Sequence, residues 1–113
     1  MIRGKLVLVP FPFDDLSGAK VRPALCLTEP IGPNRHVILA FLTSRIDPEL
    51  SATDIVLEAS APGFAEMGLR FASTLKLHRV VTLTTSLIRR ELGALPPNLQ
   101  REVNDRLRHL FGL

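Results

Sequence analysis

A chain of 113 residues, 46% of them apolar, makes one domain with a small core and is too apolar for a disordered tail. Its net charge of +3 rests on 14 basic residues, 11 of them arginine, against 11 acidic ones; that balance admits a phosphate-bearing partner and is equally compatible with a solvated basic surface. The single Cys26 excludes an internal disulfide and a cysteine-based zinc site, no apolar run reaches bilayer length, and no signal peptide is evident, so a cytoplasmic protein without a membrane partner is expected.

Lys5 to Val9 is a short apolar run without helical period, closed by Pro10 and Pro12, and reads as a strand buried on both faces. Phe13 to Lys20 is a loop in which Asp15-Leu-Ser-Gly18 suits a type I turn. Val21 to Thr28 is the second strand, with Val21, Pro23, Leu25 and Leu27 on one face and Arg22, Ala24, Cys26 and Thr28 on the other. Pro23 cannot donate to a ladder and marks an edge or an entry. After a Pro/Gly loop from Glu29 to Arg35, His36 to Ser44 is the most hydrophobic strand, and its near-continuous run predicts a central, doubly covered position. A fourth strand is expected from Asp54 to Glu58, a loop from Ala59 to Arg70, and a fifth strand from Ser73 to Leu77 that can run on to Leu83. Lys76 and His78 share one face of it. Two helices are predicted to close the chain. Ser86 caps Leu87 to Leu92, which Gly93 stops, and Asn98 caps a longer helix from Leu99 to Phe111. Leu99, Val103, Leu107, Leu110 and Phe111 form its stripe, a surface for the core or for a second copy. Five short strands sealed by an amphipathic helix make a small, strongly bent sheet or barrel, in a single domain over residues 1–113.

Several chemistries have no footing here. There is no Gly-rich phosphate loop ending in Lys-Ser/Thr, no Gly-x-Ser-x-Gly elbow, no His-Glu-x-x-His helix and no carboxylate cluster. Nucleotide hydrolysis, serine hydrolysis and metalloenzyme chemistry are therefore not expected, and no cofactor is implied. Arg22 is the unusual placement: a guanidinium at the junction of a polar loop and an apolar strand, which is costly without an anionic partner. A surface ion pair with Asp14, Asp15 or Glu29 is the plain reading of it.

The segments Arg3-Gly4, Lys20-Val-Arg-Pro-Ala-Leu25, Ile38 to Ser44, Leu75-Lys-Leu-His-Arg-Val-Val-Thr-Leu83 and Leu92-Gly-Ala-Leu95, in this order and spacing, resemble the PemK/MazF family of bacterial toxins along nearly the whole chain. The resemblance implies a mostly β fold with a terminal helix, a small SH3-like barrel of the CcdB/MazF type, assembled as a homodimer. It implies a metal-independent endoribonuclease selective for short motifs in single-stranded RNA such as mRNA, neutralised by a cognate antitoxin. It also implies a catalytic centre made of the arginine of the Arg-Pro pair and the threonine that ends the third strand, here Arg22 and Thr43. The basic residue and aspartate that the family carries two apart on its fifth strand fall on Lys76 and His78, and a histidine in place of a carboxylate can donate, accept or titrate.

Metal-free RNA cleavage can use the 2′-hydroxyl as internal nucleophile. A preorganised guanidinium then stabilises charge growing on the phosphoryl oxygens, a role open to Arg22. General base is not such a role, because an arginine stays protonated at any ordinary pH. Thr43 can bond the scissile phosphate or orient the 2′-hydroxyl. Ser44, the next residue along, faces the other way unless the strand ends at Thr43. Lys20, Ser44, Lys76 and His78 are the candidate RNA contacts. Phe11 and Phe13 can stack on bases or pack at the barrel rim, and Cys26 reads as a small buried hydrophobe. Two other functions share this pattern. A non-catalytic, gyrase-poisoning toxin has the same barrel, but such relatives use a C-terminal tryptophan and this chain ends Leu110-Phe-Gly-Leu113. A degenerate member that binds RNA without cutting it would fit the Lys76/His78 departure.

Overall fold

The computed structural model describes residues 1–10 and 20–113. Phe11, Phe13 and the Asp15–Gly18 turn lie outside the described residues. The elements in chain order are β1 (Lys5–Pro10), β2 (Val21–Cys26), β3 (His36–Thr43), β4 (Asp54–Leu57), α1 (Phe64–Met67), β5 (Ser73–Thr84), a 3₁₀ turn (Thr85–Leu87), β6 (Arg90–Ala94) and α2 (Pro97–Phe111). The strands form one antiparallel sheet in the order β4-β5-β3-β2-β1-β6, curled into a half-barrel. Among the described residues no helix is long and apolar enough to cross a membrane.

Period-two alternation sends side chains to two cores, one on each face. Leu6, Leu25, Leu42, Leu75 and Leu77 join Met67 of α1 and Val103 of α2 on one face, with Leu99 and Leu107 packed against them. Val7, Val9, Ala24, Cys26, Val37, Leu39 and Phe41 form the other, against Val81, Leu83 and Ile88. This double cover is why β3 carries an almost unbroken apolar run, as expected of a strand between β2 and β5. Cys26 is 1% exposed, and burial, with Glu29 and Glu91 nearby, pushes its thiol up to about 11. It stays protonated and inert at neutral pH.

The sheet bends within β5. Ala40 pairs with Val80, but Leu42 pairs with Leu75, so residues 76–79 stand against Phe41 alone. Such a bulge disrupts the ladder locally and turns the strand. The N-terminal part of β5 can then pair with β4 (Asp54↔Lys76 to Leu57↔Ser73) while its C-terminal part continues along β3.

Three expectations need correction. The segment from Leu87 to Leu92 is not a helix: Arg90–Ala94 adds to the open edge of β1, with Leu8↔Arg90 and Lys5↔Ala94 paired and Arg89 N–H donating to the Leu8 carbonyl at 2.8 Å. Among the described residues the sheet thus has six strands rather than five. Gly93 serves close packing rather than helix termination, because a Cβ there would overlap the Glu66 carbonyl oxygen of α1. Secondly, the stretch from Ala59 to Arg70 contains the short helix α1, set between Gly63 and Gly68, both at positive φ (87° and 70°). Thirdly, Pro96 caps α2 with Pro97 at its first position, so Asn98 lies inside the helix. Its stripe buries Val103 and then outruns the core, leaving Phe111 62% exposed.

The loop that follows β3 is tied down by charge. Lys76 Nζ lies 3.0 Å from Asp47 Oδ2 and 3.2 Å from Asp54 Oδ2. Arg106 of α2 donates to the carbonyls of Ala52 and Asp54 at 2.8 and 3.0 Å. Burial pushes the Asp54 carboxyl up, but the Ser51 N–H and the Lys76 ammonium outweigh it and hold the group below the usual carboxylate range. Lys76 is held above the usual lysine value, chiefly by Asp47, against burial and with help from Asp54.

Replacing Lys76 by Met strands a carboxylate whose side chain is only 2% exposed. We expect a loss of about 3 kcal/mol in urea denaturation at pH 7. Asp47→Asn, at a side chain 44% exposed, is expected to cost under about 1 kcal/mol. Because Asp54 is depressed, its contribution is complete above its unfolded value of about 4 and disappears as pH falls through the lower folded value. Because Lys76 is raised, its share is complete below about 10.4 and disappears as pH rises through the higher folded value. Lys76→Met should flatten both limbs of stability against pH; equal stability of the two variants at pH 7 would show that this pair does not hold the loop.

Candidate functional site

The β2–β3 ladder pairs Ala24 with Phe41. Arg22 and Thr43 each lie two residues beyond that last β2–β3 pair, Arg22 opposite Val9 of β1 and Thr43 opposite Thr74 of β5. Both line a groove of about 500 Å³ together with Pro23, Ser44, Arg70, Phe71 and Arg90. Both also line a smaller adjoining recess of about 150 Å³ with Phe41, Lys76 and Arg79. None of the described residues lining either space is acidic. Arg22 is half-buried, as a guanidinium placed between strand and solvent must be.

Thr43 is the last residue of β3, and its Oγ1 accepts from the Arg45 N–H at 3.1 Å. That contact fixes the hydroxyl as an acceptor and leaves its own hydrogen for donation. Because the strand ends there, Ser44 escapes alternation and lines the same groove as Thr43. Lys20 is exposed immediately before β2 and outside the groove lining. Lys76 borders the recess with its ammonium against Asp47 and Asp54, in a side chain 14% exposed. His78 is exposed on the bulge, its Nδ1 2.8 Å from Thr53 Oγ1, and lies outside both groove and recess. Glu29 accepts from the backbone N–H groups of Ile2 (2.8 Å) and Arg3 (3.3 Å), first of these two the Ile2 bond, which holds its carboxyl below the usual range.

Four lining residues escape a reading of the sequence. Arg90 sits on the strand expected as a helix. Arg70 and Phe71 sit in a stretch without periodicity. Arg79 is three residues from Lys76 and would face the opposite way in a regular strand, but the bulge breaks the alternation and both reach the recess. The combination of guanidinium groups and hydroxyls around one groove suits an oligoanion: forked donors for phosphate oxygens and small donors for a single linkage. Among the described residues, no three His, Cys, Asp or Glu side chains gather where they could hold a metal ion.

No curated protein matches the chain. Among solved structures it is similar to an endoribonuclease bound to its cognate antitoxin from a mycobacterial species, at 17% identity and a TM-score of 0.70 over 100% of this chain and 96% of that one. It is similar to the Mycobacterium tuberculosis toxin MazF-mt6, at 19% identity and a TM-score of 0.71 over 96% and 97% of the two chains. It is similar also to the MazF of a MazE–MazF complex from Deinococcus radiodurans, at 21% identity and a TM-score of 0.74 over 100% and 96%. Residues 2–111 match the family described as PemK-like, MazF-like toxin of type II toxin-antitoxin system, and the chain belongs to that family.

Proposed function

We propose that this chain is an endoribonuclease toxin that cuts single-stranded RNA at selected short motifs without a metal ion. A cognate antitoxin silences it by covering the groove. The observation that carries this reading is the shared placement of Arg22 and Thr43 in a groove lined by further arginines and by no described acidic residue. Family membership and the endoribonucleases among its structural relatives, two of them bound to an antitoxin, support it.

In this reading the scissile phosphate sits between the strand tips. The 2′-oxygen attacks phosphorus as its proton passes to water, and the P–O5′ bond breaks as the departing 5′-oxygen takes a proton from water. Arg22 matches the charge that accumulates on the non-bridging oxygens, where a preorganised donor gains most from a partly dehydrated site. The Thr43 hydroxyl, held by the Arg45 N–H, donates to the same phosphate and keeps the linkage in line. Ser44 supports the neighbouring phosphate and Lys20 attracts the strand at the entrance. Lys76 acts one step back, by fixing through Asp47 and Asp54 the loop that leaves Thr43.

The functional unit is a homodimer. A second surface depression of about 460 Å³ is lined by Leu27, Ile38, Val80, Leu107, Phe111 and Leu113, where the stripe of α2 leaves the core. Phe111 and Leu113 are 62% and 90% exposed. A second copy covers this apolar patch and doubles the phosphate contacts offered to one strand.

Purified protein in excess chelator should cut single-stranded RNA at a small set of motifs, read by sequencing the new ends. Arg22→Ala should slow cleavage a hundredfold or more, and Thr43→Ala by about tenfold or more. RNA left intact by the wild type overturns the nuclease reading, and capture of gyrase by that same inactive protein would restore the protein-binding alternative. For assembly, sedimentation should give a dimer for the wild type and a monomer for Phe111→Asp; an unchanged state places the dimer contact elsewhere.

A further inference from the structure

We propose that Phe71 is a stacking platform for one nucleobase of the bound strand, beside the phosphate held at Arg22 and Thr43. The inference rests on the nuclease reading and gives its groove a base contact. The chain has no Trp and no Tyr, so a base can be stacked by phenylalanine, histidine or a guanidinium plane, and none of His36, His78 and His109 lines the groove. The described phenylalanines divide cleanly. Phe41 is 2% exposed and Phe64 packs against the core. Phe111 lines the separate apolar depression at the end of α2. Phe71 is 67% exposed and lines the same groove as Arg22 and Thr43.

An aromatic ring left this far in water gains nothing for the fold, yet the backbone beneath it is firmly held. Ser73, 4% exposed at the start of β5, donates its hydroxyl to the Phe71 carbonyl at 2.9 Å. Ser73 is itself paired with Leu57, and the next residue, Thr74, pairs with Thr43 across β3. At the other end of the segment, Gly68 sits so close to Leu92 of β6 that a Cβ would overlap the Leu92 carbonyl oxygen. The span carrying Arg70 and Phe71 is thus anchored on both sides, one end in register with the proposed catalytic threonine. Arg70 and Arg90 share the groove and supply charge for phosphates next to the stacked base. An exposed ring on an anchored backbone, in one groove with guanidinium groups, is the arrangement that single-strand binding needs: a sequence-tolerant face for the base and a cationic track for the backbone.

The test uses a short RNA that the wild type cuts, made non-cleavable by a 2′-deoxy substitution at the cut linkage. Phe71→Ala should bind it about tenfold more weakly, with KM for the cleavable strand raised in proportion and kcat changed much less. Removing one base of the RNA at a single position should cost the wild type a similar factor and cost Phe71→Ala nothing further, the signature of a direct pair. Phe71→Trp should keep the affinity, and because it carries the only tryptophan, its emission should be quenched when the RNA binds. Wild-type affinity in Phe71→Ala, full additivity of its loss with base removal at every position, or unchanged Trp emission at saturation each overturns the inference while leaving a cutting enzyme intact. A wild type that neither binds nor cuts RNA overturns the nuclease reading and this inference together.

Discussion

The groove depends on a mismatch of step between two strands. Two steps along β3, from Ala40 to Leu42, correspond to five along β5, from Val80 to Leu75. Without that bulge, β5 would run straight and its faces would alternate regularly. β4 would then have no bent partner to pair with, and Lys76 and Arg79 would point to opposite sides of the sheet. With it, the sheet curls around Phe41, and the end of β3 opens beside the start of β2. Arg22 and Thr43 line one groove because each lies just past the last β2–β3 pair, Ala24↔Phe41. Thr43 is reached because β3 ends there, two residues past the bulge and still paired with Thr74 of β5.

Charge is divided between two tasks by side-chain chemistry. The buried carboxylate of Asp54 and the half-exposed one of Asp47 converge on Lys76, a compact ammonium that takes several oxygens from different directions. That cluster holds a loop. The groove is lined by arginine instead: Arg22, Arg70 and Arg90. Arginine is weakly hydrated and forked, so in the proposed function it suits a phosphate that binds and leaves. The two sets meet at the recess, where Lys76 and Arg79 stand on the same bulge.

Much of this was legible in the chain because it is local or periodic. The unbroken apolar run of β3 announces a strand covered on both faces, and the stripe from Leu99 to Leu107 announces the helix that closes one core. The Arg22-Pro23 pair at a strand opening and Thr43-Ser44 at a strand end stand out locally, though only the family resemblance implies that they share one groove. What escaped was decided by distant contacts. Leu87 to Leu92 has a cap and a terminal glycine in helical positions, and only the open edge of β1 makes Arg90–Ala94 a strand. Gly93 looks like a stop signal until Glu66 is placed against it. Arg79 cannot be assigned to a face without the bulge, and nothing in Arg70-Phe71 itself reveals that Ser73 and Gly68 will present those side chains to Arg22.

Structures alike at 17 to 21% identity share a backbone route, and a shared route leaves most groove side chains open to change. Here the route is enforced where side chains are smallest. Gly68 and Gly93 let α1 and β6 approach to backbone distance, which a larger residue at either position would block. That contact determines where the chain emerges toward β5, and the segment from Gly68 to Ser73 then has little choice of path. The glycines and Ser73 therefore set the position of the rim, while Arg70 and Phe71 set its chemistry. Those exposed side chains are free to change without disturbing the glycine contacts or the β2–β3 register beneath the groove.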